Sequence, residues 1–277
     1  MGRLQRFERD DLTFDVLDQG PLDGEAVVLL HGFPQDASCW HRIAPRLHDA
    51  GLRTLAPDQR GYSPGALPQG PAAYGIQDLA LDVIALLDAA GLARAHLVGH
   101  DWGGVVAWAM AGRHPQRLHS LTSLSTPHPV AFGWAARHGT QALRSWYMGL
   151  FQLPWLPEQV LHRTLAGALK RSGMPDDDVD GCMRRMLDPQ LLSHALAWYR
   201  AVPFAVREPV PASRVPTTFI WGRRDFAVGR TAVEKTRELV AAPYRFVELD
   251  AGHWLPETRP LEVASVLLDR VRASAEA

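Results

Sequence analysis

Short apolar runs recur along this chain, and helical patterns separate most of them. Residues 26–30 form an apolar run without alternation that ends at His31-Gly32, as is typical of a strand buried on both faces. Similar runs predict strands at 53–57, 95–99, 120–125, 217–221 and 245–249. Helices are predicted at 76–90, at 102–114, near 231–241 and at roughly 257–273. Strands that alternate with helices predict an α/β fold with a mostly parallel, doubly wound sheet.

The alternation stops between about residues 126 and 214. This stretch has helical patterns, carries four of the nine Trp residues and ends in a proline-rich passage. We therefore expect a helical cap at 127–214, inserted into a core formed by 1–126 and 215–277. Within the cap, the acidic run from Asp176 to Asp178, with Asp180, is predicted as a solvated loop.

Composition excludes several classes of function. The 29 basic and 30 acidic side chains give a net charge of −1, which offers no electrostatic footprint for nucleic acid or an anionic membrane. Cys39 and Cys182 are too few and too far apart for a disulfide framework or a metal-ligand pattern. The N-terminus lacks an apolar signal sequence. We expect a cytoplasmic monomer or homodimer without metal or cofactor.

The segment Gly99-His-Asp-Trp-Gly103 fits the pattern Gly-x-nucleophile-x-Gly, in which a strand turns sharply into a helix. Its central side chain is Asp101, placed at the sheet edge where α/β proteins bind ligands. A carboxylate is ionised at neutral pH, so it attacks a saturated carbon without a base. Taken alone, Asp101 is equally well explained as the N-cap of the helix that begins at Trp102.

The motif His31-Gly-Phe-Pro34 follows the first predicted strand. In isolation it is typical of an ordinary loop. Beside the Asp101 turn it suggests an oxyanion hole, in which the backbone N–H groups of Phe33 and Trp102 converge on one carbonyl oxygen.

His253 follows the last predicted strand in the turn Gly252-His-Trp254, which places it on a loop at the same sheet edge. It is the candidate base. Asp225, which follows the strand at 217–221, is the candidate orienting acid, because no Asp or Glu occurs between Asp101 and Glu158. Alternatively, Asp225 is a turn residue paired with a neighbouring arginine, Arg223 or Arg224.

Five motifs together resemble the epoxide hydrolase branch of the α/β-hydrolase superfamily: HGFP at 31–34, DQRGYS at 58–63, GHDWGG at 99–104, WG-x-x-D at 221–225 and GHWLPE at 252–257. The match covers essentially the whole chain. The resemblance implies an α/β-hydrolase fold with a helical cap inserted after the sixth strand. It also implies an enzyme that converts a small apolar epoxide and water to a vicinal diol.

The resemblance assigns roles to two cap tyrosines. Tyr147, in Tyr-Met-Gly-Leu-Phe-Gln, and Tyr199, in Trp198-Tyr-Arg, match the positions whose phenols hold the epoxide oxygen. A phenol suits this role because it donates a proton while staying neutral at neutral pH. The alternative is that both rings are only aromatic core of the cap. Further substrate contacts are expected from His31, Pro34, Trp102, Trp198 and Trp254.

The implied reaction has two steps. Asp101 attacks an epoxide carbon and forms an ester, which water activated by neutral His253 then hydrolyses. A haloalkane or haloacetate dehalogenase with the same nucleophile is the alternative. Against it, Phe33 replaces the Asn of haloalkane enzymes, and Trp102 and Val105 replace the Arg residues of fluoroacetate enzymes. A more remote alternative is a non-catalytic protein that binds a small ligand.

Overall fold

A computed structural model describes residues 2–205 and 209–275. Its sheet has eight strands in the order β1-β2-β4-β3-β5-β6-β7-β8. Strands β3 to β8 pair in parallel, whereas β1 and β2 join the edge antiparallel. The strands β1 to β8 are, in order, Arg6–Arg9, Leu12–Gln19, Ala26–Leu30, Arg53–Pro57, Ala95–His100, Leu118–Leu124, Thr217–Gly222 and Tyr244–Leu249. The predicted α/β fold with a mostly parallel sheet is confirmed.

The N-terminal strands β1 and β2 were not predicted. In β2 the buried residues Phe14 and Val16 alternate with Thr13, Asp15 and the exposed Leu17, which is the pattern of a half-buried strand. The strand was not predicted because the prediction relied on unbroken apolar runs, and β2 has none.

Helices cover both faces of the sheet. In β3, Val28 and Leu30 pack into the cluster that contains α2 and α3, whereas Val27 and Leu29 face the cluster of α1 and α12. A strand with helices on both faces is buried throughout, which explains its unbroken apolar sequence. The helices α1 to α12 are, in order, Ala44–Asp49, Ile76–Ala89, Trp102–Arg113, Pro129–His138, Gln141–Arg144, Trp146–Leu150, Leu156–Arg171, Asp176–Met186, Pro189–Ala205, Arg230–Thr236, Leu255–Thr258 and Pro260–Ala275.

Helices α4 to α9 lie between β6 and β7 in the chain, within the proposed cap. Of these, α6 to α9 share one apolar cluster with α2 and α3. Trp198 of α9 donates from its indole N–H to the carbonyl of Arg60 at 2.8 Å, and Arg185 of α8 pairs with Asp58 at 2.7 Å. The cap helices are therefore packed directly against the strand-bearing part of the chain.

The acidic run at Asp176 was predicted as a loop, and this prediction is wrong. Asp176, Asp177 and Asp178 form the first turn of α8, where negative side chains interact favourably with the helix dipole. Both carboxylate oxygens of Asp178 also accept hydrogen bonds from Nη1 of Arg42, at 2.8 and 2.7 Å. A run of like charges is therefore compatible with a solvated loop and also with the first turn of a helix.

None of the helices in the described part of the chain combines the length and the apolar character needed to cross a membrane. The cytoplasmic location and the monomeric or dimeric state stay predictions.

Candidate active site

Asp101 stands at the tip of the turn between β5 and α3. Its backbone φ is 50°, a conformation that residues other than glycine rarely adopt. The turn is tight, since a Cβ atom on Gly99 would lie 2.2 Å from the carbonyl oxygen of Gly103. This strained turn lifts the Asp101 side chain above the carboxyl end of the parallel strands.

The Asp101 carboxylate does not cap helix α3, because its side chain makes no capping hydrogen bond. Oδ1 instead accepts from the backbone N–H of Phe33 at 2.9 Å, and Oδ2 lies 3.5 Å from Nε2 of His253. Burial opposes ionisation, but the hydrogen bond and positive charge of His253 hold the pKa of Asp101 below its usual value. The N-cap interpretation is therefore wrong, and Asp101 is a carboxylate at neutral pH.

Asp225 and His253 are joined by a short hydrogen bond. Nδ1 of His253 lies 2.8 Å from Oδ2 of Asp225, and both side chains are nearly or fully buried. Oδ1 of Asp225 accepts from the backbone N–H groups of Ala227 and Val228 at 2.7 and 3.0 Å. These amides fix the carboxylate and leave its second oxygen for the imidazole.

The alternative in which Asp225 pairs with a neighbouring arginine is wrong. Arg223 and Arg224 both bind the exposed Asp250, at 3.0 and 2.7 Å. Asp101, His253 and Asp225 consequently form one continuous series of contacts, which we call the catalytic row after the role proposed for it.

His253 lies between two carboxylates. Burial alone lowers its pKa, but the negative charges of Asp225 and Asp101 and their hydrogen bonds raise the pKa to about 10. In the ligand-free protein this imidazole therefore carries a positive charge. The neutral His253 expected from the sequence concerns the later hydrolysis of the ester and stays a prediction.

A cavity of about 420 Å³ opens above the catalytic row, and its lining is mainly apolar. Of the predicted site residues, those with side chains on the cavity wall are Asp101, His253, Tyr147, Tyr199, Trp102 and Trp198. In the described residues no group of three His, Cys, Asp or Glu side chains could hold a metal ion.

The two cap tyrosines face the same cavity as the carboxylate. Their ring centroids lie 6.3 Å apart, and the Tyr199 ring meets Trp102 edge to face at 5.0 Å. Burial raises the pKa of Tyr147 and that of Tyr199, and the charge of Asp101 adds to both shifts. Both side chains are thus neutral phenols among the residues that line the cavity, and they also pack in the aromatic core.

Three residues expected to contact substrate do not line the cavity: His31, Pro34 and Trp254. His31 is fully buried, and its Nε2 accepts from the backbone N–H of Gln59 at 3.1 Å. The indole of Trp254 donates to Ser172 Oγ at 2.9 Å. The side chains of His31 and Trp254 make internal hydrogen bonds, so adjacency in sequence to a site residue was a misleading guide.

Sequence reasoning missed a second polar cluster, behind His253. The backbone carbonyl of His253 accepts from Ser125 Oγ at 2.7 Å and lies 3.0 Å from Nε2 of His100. Nδ1 of His100 is 2.9 Å from the amide of Gln35, and the other end of that amide is hydrogen-bonded to Glu257. Glu257 is the last residue of the GHWLPE motif. The motif drew attention to this segment, but it did not indicate the residues that Glu257 contacts.

The chain matches the alpha/beta hydrolase fold family over residues 25–260. It is 33% identical to AB hydrolase superfamily protein YfhM of Bacillus subtilis, with 98% of each chain covered. It is also 33% identical to epoxide hydrolase A of Mycobacterium tuberculosis, with 92% of each covered. The crystal structure of epoxide hydrolase A from Mycobacterium thermoresistibile superposes with a TM-score of 0.84 at 28% identity, covering 96% of this chain and 97% of that one.

Proposed function

Since the chain belongs to the alpha/beta hydrolase family, in its epoxide hydrolase branch, we propose that it hydrolyses a small apolar epoxide to a vicinal diol through an ester on Asp101. One observation carries this proposal: two neutral phenols, Tyr147 and Tyr199, share a mainly apolar cavity with a carboxylate and a histidine. The phenols supply donors for the ring oxygen, and the carboxylate supplies the nucleophile.

The two oxygens of Asp101 have different roles in the first step. Oδ1 is held by the Phe33 amide, so it becomes the carbonyl oxygen of the ester. Oδ2, which lies 3.5 Å from Nε2 of His253, attacks the epoxide carbon, whose bond to oxygen breaks. The ring oxygen leaves as an alkoxide and takes a proton from the tyrosine pair.

The proton on His253 balances this step. The ester has no charge, so one of the two negative charges that raise the pKa of His253 is lost when it forms. His253 then gives up its proton, which restores the phenol, and is left neutral. A neutral imidazole is the form that accepts a proton from water, and it arises only after the ester is made.

Hydrolysis of the ester follows from the same geometry. Water between His253 and the ester loses a proton to Nε2 and attacks the carbonyl carbon of Asp101. The resulting oxyanion lies on the Oδ1 position, where the Phe33 amide donates; the Trp102 amide is the proposed second donor. Collapse expels the diol oxygen, which takes the second hydrogen of the attacking water from the new carboxyl group. The diol is released, Asp101 is again a carboxylate, and His253 keeps the first proton.

Single turnover in ¹⁸O-labelled water tests the covalent step. Attack by Asp101 places label in its carboxylate, because water adds to the carbonyl carbon of the ester. Label found only in the diol would contradict the scheme. A product screen with aliphatic, aryl and trans-disubstituted epoxides, haloalkanes and haloacetates is the companion assay, and halide release without diol formation would favour the dehalogenase alternative. A non-catalytic binder would turn over none of these compounds.

The tyrosines are tested by Tyr199→Phe and Tyr147→Phe. Each variant loses one donor to the alkoxide, and we expect the ester to form about 10²-fold more slowly, with a larger loss in the double variant. Tyr244→Phe, which removes a phenol oxygen on β8, is the matched control. Equal rates for all three single variants would contradict the assigned role.

A further inference from the structure

The cluster behind His253 contains a chain of hydrogen bonds whose directions can be worked out. A backbone carbonyl only accepts, so Nε2 of His100, which lies 3.0 Å from the carbonyl oxygen of His253, must carry a hydrogen. His100 is fully buried, and its ring centroid lies 5.1 Å from that of the positively charged His253. Burial, reinforced by that charge, lowers the pKa of His100 to about 4. His100 is therefore neutral, with its single N–H on Nε2.

The remaining nitrogen fixes the orientation of Gln35. In the structure Oε1 of Gln35 lies 2.9 Å from Nδ1 of His100, and Nε2 faces Glu257. A neutral imidazole with hydrogen on Nε2 accepts at Nδ1, so we assign the NH₂ group to the end of the amide that faces His100, which exchanges the two ends relative to that placement. The two ends of an amide have the same shape, and hydrogen bonding decides which is which. The amide oxygen of Gln35 consequently faces Glu257.

An amide oxygen needs a donor, and only a protonated Glu257 supplies one. Its carboxyl group is buried, and among the described residues Oε2 has no hydrogen-bond partner. An ionised carboxylate with a buried oxygen left unpaired is very unfavourable, whereas a neutral acid tolerates it far better. The nearby cation Arg42 is bound to both oxygens of Asp178. Burial raises the pKa of Glu257 to about 8, in agreement with these contacts.

We propose that Glu257 is a positioning residue that acts on His253 as a neutral carboxylic acid. Its O–H donates to Gln35, and the Gln35 amide donates to His100. His100 in turn donates to the backbone carbonyl of His253. We call His100, Gln35 and Glu257 the supporting row.

The supporting row joins the three loops that build the site. Gln35 lies two residues after Phe33, on the oxyanion loop, and His100 immediately precedes Asp101. Glu257 lies four residues after His253. One chain of hydrogen bonds therefore sets the position of the histidine backbone relative to both the oxyanion loop and the nucleophile. The inference that this affects catalysis rests on the proposed function, whereas the protonation of Glu257 does not.

Infrared spectroscopy tests the protonation state directly. With ¹³C-labelled Glu side chains, the wild-type spectrum at neutral pH minus that of Glu257→Gln is expected to contain the C=O stretch of a protonated acid. The bands of an ionised carboxylate in that difference would overturn the proposal. This measurement is independent of any substrate, so it stands even if no epoxide reacts.

Single-turnover kinetics test the positioning role. Glu257→Ala is expected to slow ester hydrolysis by about 10- to 100-fold, with a smaller effect on ester formation. Glu257→Gln retains a donor to the Gln35 oxygen and is expected to restore a rate close to wild type. Equal loss in both variants, or equal slowing of both steps, would overturn the proposal. The exposed Glu262→Ala is the matched control, and if Glu257→Ala does not fold, the rate of Glu257→Gln and the infrared result decide.

Discussion

The catalytic row and the supporting row meet at His253, and they differ in charge although both are enclosed by protein. The catalytic row holds two carboxylates around an imidazolium. The supporting row contains only neutral groups in the proposed assignment, linked by hydrogen bonds of fixed direction. One row changes its protonation during the proposed reaction, while the other has no need to do so.

Two histidines make this contrast quantitative. Burial lowers the pKa of both, but the pKa of His253 is raised to about 10 and that of His100 is lowered to about 4. Their rings lie only 5.1 Å apart. The partners decide the outcome, since His253 faces two carboxylates and His100 faces a carbonyl and an amide. Burial alone therefore does not tell which buried histidine is the catalytic one.

Removal of one charge from the catalytic row has the largest expected effect. In Asp225→Asn the amide donates to Nδ1 of His253, which leaves the hydrogen on Nε2 and blocks proton uptake from water. We expect kcat to fall by about 10⁴-fold, with the ester accumulating in quenched samples analysed by mass spectrometry. Asp250→Asn, at an exposed ion pair near the same sheet edge, is the control, and a comparable loss there would argue against the assignment.

The charge on His253 is expected to appear in protein stability. Its pKa in the folded protein is about 10, against 6.5 for an unperturbed histidine, so the folded state binds the proton more tightly. The stabilisation by the bound proton is complete below about pH 6.5 and is lost as the pH rises through about 10. The difference in unfolding free energy between wild type and His253→Gln should shrink across this range in denaturant titrations. A constant difference would mean that His253 is not held as a cation.

The neutral supporting row predicts a different pH range. Glu257 has a folded-state pKa of about 8 against an ordinary value of 4.5, so the folded protein favours its protonated form. Stability relative to Glu257→Gln is expected to decline as pH rises from about 4.5 to about 8. If wild type instead gained stability relative to the variant over this range, Glu257 would be an ionised partner and the two rows would not differ in charge.

The smallest expected effect concerns the second donor to the His253 carbonyl. Ser125→Ala removes the hydrogen bond from Oγ at 2.7 Å but leaves the contact with His100. We expect a loss of about 1 kcal/mol in unfolding free energy, measured in urea, with the pH dependence assigned to His253 unchanged. A loss of that pH dependence would indicate that Ser125, and not the supporting row, holds the histidine in place.

Much of the site could be predicted from short stretches of sequence. The turn around Asp101 and the loops that carry Phe33 and Asp225 follow buried strands, and the His253 loop follows the edge strand β8; parallel strands bring such loops to one edge. The alternation of strands and helices predicted the sheet for the same reason, because burial on both faces leaves an unbroken apolar run.

Contacts between distant residues could not be predicted in this way. Gln35 and Glu257 are 222 residues apart in the chain, and nothing local to either one indicates the other. The acidic start of α8 was misassigned because a charge run has the same composition in a loop and in a first helical turn. His31 and Trp254 lie close to site residues in the sequence, yet their side chains make hydrogen bonds inside the protein and not with the cavity.

The single apolar cluster shared by the cap helices with α2 and α3 has a consequence for folding. Leu165 and Val179 from the cap belong to the same buried cluster as Val83 and Val106, so neither part can complete its interior without the other. We therefore expect the cap and the strands to melt together in one transition. A shortened chain without the cap would present a large apolar surface to water and would aggregate rather than fold.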